Sequence, residues 1–238
     1  MNRGTIRNII KAELQDENVY RTDSFLNGSI NRAYQLTAVL SLFDERRVGL
    51  SVTGSRNLVA IPSSGNAQCI APMYIANTSD GSRVNPVGIE QMEFYNTAWE
   101  GRVEGTAQYY TLLSPFHYAW SRLVMCPAQN LTTSAYILVG AFEPVAMSAD
   151  TDEPRLAEEF QGTLIKYGVF ECLVSEPGRA KDALRVYKQY IEQLDELVRS
   201  IKSRFPGGRD FEPYSTEFTY DLITEQQTKP TKTEKPEE

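Results

Sequence analysis

The chain has 238 residues and a mass of 26.8 kDa, with 41% apolar and 23% charged residues. That is enough for one sizeable core, or one core with an inserted second. Basic residues number 24 against 31 acidic, a net charge of −7, which argues against electrostatic wrapping of nucleic acid but not against a wall that DNA slides past. No apolar run approaches the ~18–20 residues needed to span a bilayer, and the polar stretch 1–14 does not read as a signal peptide. A lone histidine, His117, argues against histidine catalysis and zinc chemistry.

In chain order, residues 5–14 place Ile6, Ile9, Ile10 and Leu14 on one side of a helix. Thr22-Asp23 is an N-cap signal, and Leu26, Ile30, Ala33, Thr37 and Leu40 then recur at helical spacing to about Phe43. No lysine occurs between Lys11 and Lys166, and residues 48–148 carry only 10 charges. This middle is rich in Tyr, Val, Ile, Thr, Ser and Gly and reads as strand and turn. Strands are predicted over 48–52, 58–61, 68–75, 107–113, 118–125 and 135–142, with a short helix over 86–95 and turns at Ser63–Asn66, Ser79–Ser82 and Gln129-Asn130. Six short antiparallel strands suggest a sandwich or barrel.

Pro154 suits the first turn of a helix, with Glu158 and Glu159 well placed for its dipole and Leu156, Phe160, Leu164, Tyr167, Glu171 and Val174 along one side. Pro177-Gly178 breaks that helix. The last one carries a stripe in alternating steps of four and three: Ala180, Leu184, Tyr187, Ile191, Leu194, Val198, Ile201 and Phe205, widened by Ala183, Tyr190 and Leu197. Such a stripe covers a helical partner, in the same chain or a neighbour. Pro206-Gly-Gly208 ends it.

The fold class is therefore α+β. A helical bundle frame (1–46 and 154–205; two N-terminal and two long C-terminal helices) carries an inserted antiparallel β-sandwich or barrel (47–153), followed by an extended C-terminal arm (206–238). That arm holds Phe211, Tyr214, Phe218, Tyr220, Leu222 and Ile223, and its last part, from Gln226, is expected to be disordered unless bound.

Sites for chemistry are weak. The glycine-containing stretches at 54–56, 101–105 and 206–209 lack the Gly-Lys-Ser/Thr end of a phosphate loop and read as turns. Asp150-Thr-Asp-Glu153 could bind a divalent cation, but it lacks the ligand spacing of an EF-hand and reads better as a turn feeding a helix N-terminus. His117 has no nucleophile or orienting partner. Cys69, Cys126 and Cys172, with no CxxC spacing, read as buried thiols in a reducing compartment. The aromatics Tyr109, Tyr110, Phe116, Tyr118 and Trp120 could stack single-stranded nucleic acid, yet Arg122 is the only cation nearby, so core or interface is the better reading. No catalytic, metal or cofactor-binding residues are assigned, and no enzyme is expected.

Several features in order resemble one family. Thr22-Asp23-Ser-Phe-Leu26 and Ile30-Asn31-Arg-Ala33 lie in the N-terminal helices, and the strands Arg122–Pro127 and Ala135–Val139 close the β insertion. Phe142-Glu-Pro144 then leads into Asp150-Thr-Asp-Glu-Pro154, and helices with Leu164-Ile-Lys-Tyr-Gly168 and Tyr187 follow. Over about residues 3–205 this resembles the head-to-tail adaptor (connector or neck) proteins of tailed bacteriophages, although Gly168 stands where alanine is expected.

The resemblance implies a structural virion protein at the head–tail junction, assembled in the host cytoplasm. It would form a ring, usually twelvefold, beneath the portal protein. There it would extend the DNA channel, help retain packaged DNA and dock a downstream tail or nozzle protein, with double-stranded DNA passing without specific binding and no membrane involved. From its residues rather than from the resemblance, which stops before it, the arm named above would contact a neighbouring subunit or the portal, or else fold back on its own helices, and Leu184, Tyr187, Ile191, Leu194, Val198 and Ile201 would form the helix packing stripe. The alternatives are another virion or tail structural protein, or a metal-dependent hydrolase at Asp150 and Asp152.

Overall fold

A computed structural model describes residues 1–15, 21–50, 58–61, 67–88, 90–91, 107–116, 119–126 and 136–203. Helix α1 (Arg3–Leu14) is capped by the Asn2 side chain, which accepts from the Thr5 N–H. Helix α2 (Asp23–Ser41) is capped by Thr22 through the Phe25 N–H. Strands β1 (Glu45–Leu50), β2 (Leu58–Ala60), β3 (Cys69–Asn77), β4 (Arg83–Pro86), β5 (Tyr109–Phe116), β6 (Ala119–Cys126) and β7 (Tyr136–Phe142) follow. After a 3-10 turn at Glu158–Phe160 come α3 (Gly162–Val174) and α4 (Ala180–Ser203).

The fold is α+β, and of the two expectations for the strands, sandwich or barrel, the single sheet in the order β1-β7-β3-β4-β5-β6-β2 is nearer the second. An extra β3–β6 pairing at Cys69 and Trp120 curls it into a half-barrel. Among the described residues there are seven strands and not six because β4 was illegible: four residues ending in proline have no periodicity. It exists because the Asn77–Ser82 turn folds Val84 back onto Ile75, and it then pairs parallel with β5, making the sheet mixed. Pro86, expected to start a helix, ends this strand; of that helix only Glu90-Gln91 is helical among the described residues. The turns at 63–66 and 129–130 lie outside the described residues, whereas the one at 79–82 is built as expected. There the Asp80 carboxylate accepts from the Ser82 N–H, which holds its pKa below the ordinary value.

Strand β3 is buried along nearly its whole length because both faces are covered. Cys69 and Ile75 belong to the sheet's own core with Leu50, Leu123, Tyr136 and Phe142. Ile70, Ala71 and Met73 pack with Ala38 and Leu42 from the end of α2. Pro72 is tolerated in this central strand because the register shifts between Pro72 and Tyr74. Its cross-strand partner Gly140 has no room for a side chain: a Cβ there would sit 2.7 Å from the Ala71 carbonyl oxygen.

The helices share a separate core containing Ile6, Ile10, Leu26, Ile30, Leu164, Val169, Leu173, Tyr190, Leu194 and Ile201. Gly168, where alanine was expected, lies against α1; a Cβ would be 2.5 Å from Ile10 Cδ1. The helix expected from Pro154 begins only at Gly162, because Pro154 and Leu156 are buried in an irregular segment and the Gln161 side chain donates back to the Leu156 carbonyl. The buried face of α4 is turned slightly from the predicted stripe. Ala183, Val186, Tyr190, Ile191, Leu194, Leu197 and Ile201 are buried, Leu184, Tyr187 and Val198 half-buried, and Ala180 exposed. Phe205 lies outside the described residues.

Candidate interface surfaces

The acidic segment singled out in the sequence is the fastening for α1. Asp150 accepts from Arg3 at 2.9 Å and Arg7 at 2.7 Å, and its carbonyl oxygen takes the Gly4 N–H. The Asp152 carbonyl takes the Arg3 N–H, so the segment satisfies two amides that a helix start leaves open. Arg3 also donates to the Met147 carbonyl, and Asn31 of α2 bonds both the N–H and the C=O of Met147. The ladder continues along α1 at helical spacing: Arg7 and Lys11 both reach Asp23, the latter at 2.7 Å.

These contacts hold the carboxyls of Asp150 and Asp23 below the ordinary value, through Arg7 and Lys11 respectively. Asp152 is lowered by the N–H groups of Ala149 and Ser148. With Asp150 committed to two arginines and Asp152 to backbone amides, neither presents a free pair of oxygens to a cation. No cluster of three or more metal-ligating side chains occurs among the described residues.

A second charge cluster joins helices to sheet. Buried Asp44 accepts from Arg46 at 2.6 Å and lies 3.4 Å from Arg155, while its carbonyl takes the Phe142 N–H. The Arg155 N–H donates to the hydroxyl of Tyr34, whose pKa burial raises.

The other candidates are dispersed. Cys69 and Cys172 are buried and in no disulfide, and the Cys69 thiol is pushed up to about 12 by burial, so it is a poor nucleophile. Tyr110 is buried in the sheet core. His117, Tyr118, the glycine stretches and the six arm residues from Phe211 to Ile223 lie outside the described residues. A feature the sequence did not reveal is the end of the helical layer around the α3–α4 turn. Phe25 and Val174 are exposed there, and Arg21 pairs with Glu176. No described helix is long and apolar enough to cross a membrane.

The geometry is thus that of a packed scaffold, fastened across its length by structural ion pairs. A family model described as SU10 adaptor protein matches residues 1–210, which takes in every described residue. The chain belongs to the SU10 adaptor protein family. No curated protein matches it. As an SU10 adaptor, it is a phage structural protein and a virion component that interacts with other phage structural proteins. The family match stops just beyond α4, so the aromatic arm lies outside it.

Proposed function

We propose that this SU10 adaptor forms a ring beneath the portal protein, at the head–tail junction. The family match over residues 1–210 is the observation that carries the reading. The ring extends the DNA channel, helps retain packaged DNA and offers the docking surface for a tail or nozzle protein; twelvefold symmetry is what the family resemblance implies. In this reading 1–46 and 154–205 act as the helical frame, 47–153 as the β-rich insertion and 206–238 as an arm whose Phe211, Tyr214, Phe218, Tyr220, Leu222 and Ile223 reach a neighbouring molecule.

Two observations support it. The net charge of −7 suits a channel that must not grip phosphates. The acids that might have formed a metal site are engaged by Arg3, Arg7 and backbone amides, which favours a structural role over hydrolysis. Mass photometry and electron microscopy of the chain, alone and mixed with its portal, test the reading: rings are expected with the portal present, and monomers under both conditions would refute it. At physiological salt, duplex DNA should show no submicromolar binding in a shift assay.

A further inference from the structure

The helices and the sheet keep separate cores, one around Ile10, Val169 and Leu194, the other around Tyr136 and Phe142. Among the described residues, the apolar seam between them joins Ala38 and Leu42 at the end of α2 to Ile70, Ala71 and Met73 of β3 and Ala141 of β7. Three of these six side chains are alanine, too short to interlock, and methionine repacks readily.

The described elements cross between the two bodies twice, once from α2 into β1 and once from β7 towards α3. The crossings lie side by side: the Phe142 N–H donates to the Asp44 carbonyl at 2.9 Å, and Glu45 pairs with Ala141. Two adjacent crossings leave one easy rotation, about the line that joins them, and a few element-terminal residues suffice to absorb it.

Each crossing is fastened to both bodies. On the sheet side, the Asp44 carboxylate takes Arg46 at 2.6 Å, and the Glu143 N–H donates to the Gln68 carbonyl at 2.8 Å. On the helical side, the same Asp44 carboxylate lies 3.4 Å from Arg155, and the Glu143 carboxylate accepts from Gln35 of α2 at 2.6 Å. The helical half of the Asp44 cluster is the weaker one. The Arg155 side chain is 58% exposed against 9% for Arg46, and an ion pair open to water contributes little. Phe43, stacked on Tyr34, stays with α2. Past Glu143, Val145 and Ala146 are exposed and in no regular element, until Asn31 takes both backbone groups of Met147.

We infer that the sheet turns as one body on these paired crossings, between Phe43 and Asp44 and over residues 144–146. The Asp44–Arg155 and Glu143–Gln35 contacts latch it in the orientation described. Release changes the angle between the bodies without opening either core, and Asp44 leaves together with Arg46, so its buried carboxylate keeps a partner. The device belongs to the single chain and does not depend on the proposed ring.

The test reads distances by double electron–electron resonance in the full chain, with nitroxides carried on p-acetylphenylalanine so that the cysteines stay native. One label pair, at exposed positions 85 and 196, spans sheet and helices; the other, at exposed positions 47 and 85, lies within the sheet. The unaltered chain should give a main 85–196 peak at the distance of the structure. Gln35→Ala with Arg155→Ala should raise the share of displaced 85–196 distances several-fold and leave the 47–85 distribution unchanged. Should the double variant lose its circular dichroism, Arg155→Ala alone decides, with a smaller change of the same kind; it keeps the backbone bond to Tyr34. An unchanged 85–196 distribution would overturn the inference, because packing alone then fixes the sheet. A broadened 47–85 distribution would overturn it too, because the sheet then loosens instead of turning.

Discussion

The helical layer and the sheet are built on different terms. The helices share one core in which residues distant in sequence, such as Ile6, Ile30, Val169 and Leu194, meet, and arginines on α1 bind it to the segment after β7. The sheet has its own core around Tyr136 and Phe142, where close backbone approach at Gly140 matters as much as side-chain volume. Between them lies a thin seam of Ala38, Leu42, Ile70, Ala71, Met73 and Ala141, with the Asp44 cluster beside it. Each half can therefore tolerate its own kind of change, while the seam decides whether the two melt as one.

The strongest blow to the helical half is Leu194→Asp, which buries an unpaired carboxylate at a fully buried position. A loss of about 3–5 kcal/mol is expected in denaturant unfolding, whereas Glu192→Ala, on the exposed side, should stay within about ±0.5 kcal/mol. If both unfold alike, the α4 face is idle. At the seam, Asp44→Ala removes the buried carboxylate that Arg46 and Arg155 share. It should cost about 3 kcal/mol and split the calorimetric transition into two, while a single unshifted peak would show that the seam is not electrostatic.

In the sheet, Gly140→Ala drives a methyl group into the backbone of β3 and should cost about 1–3 kcal/mol, with circular dichroism losing strand signal first. Unchanged melting would mean that β3 and β7 separate freely. The smallest effect belongs to the α1 fastening. The carboxyls of Asp23, Asp150 and Asp152 are lowered in the folded state, so that state takes up protons later than the unfolded chain. Their contribution is present above roughly pH 4 and is lost as pH falls through the folded values. Asp150→Asn should flatten the acid-side fall in melting temperature, and an identical fall in the variant would show that the ladder is not linked to folding.

Where local rules suffice, the sequence was readable. Thr22 caps α2 as its side chain requires, and the boundaries of α1 and α2 follow apolar periodicity. The length of α4 was also legible, but not its rotation, since Val186 faces the core through contacts that a one-helix pattern does not contain. Val174 sat on the predicted apolar side of α3 and is exposed because the helix ends there, beyond the reach of its neighbours. The short strand β4 and the choice of one curled sheet over a sandwich depend on register, which no isolated strand encodes. Among the candidate sites, Asp150 and Asp152 stood out by composition. The partners of the Asp150 carboxylate, Arg3 and Arg7, carry a signal only in hindsight: basic residues four apart on α1, facing an acid more than 140 residues away.

That separation has a consequence for how the chain is made. Helix α1 is made before the other described elements, and at 12 residues it is too short to persist alone. The carbonyls that cap it, on Asp150 and Asp152, arrive only after the whole sheet has been synthesised, roughly 7–30 s later at ordinary elongation rates. Its apolar floor, on α3 and α4, comes later still. The first helix is thus the last to be completed. A nascent chain that ends before α3 lacks a finished helical layer.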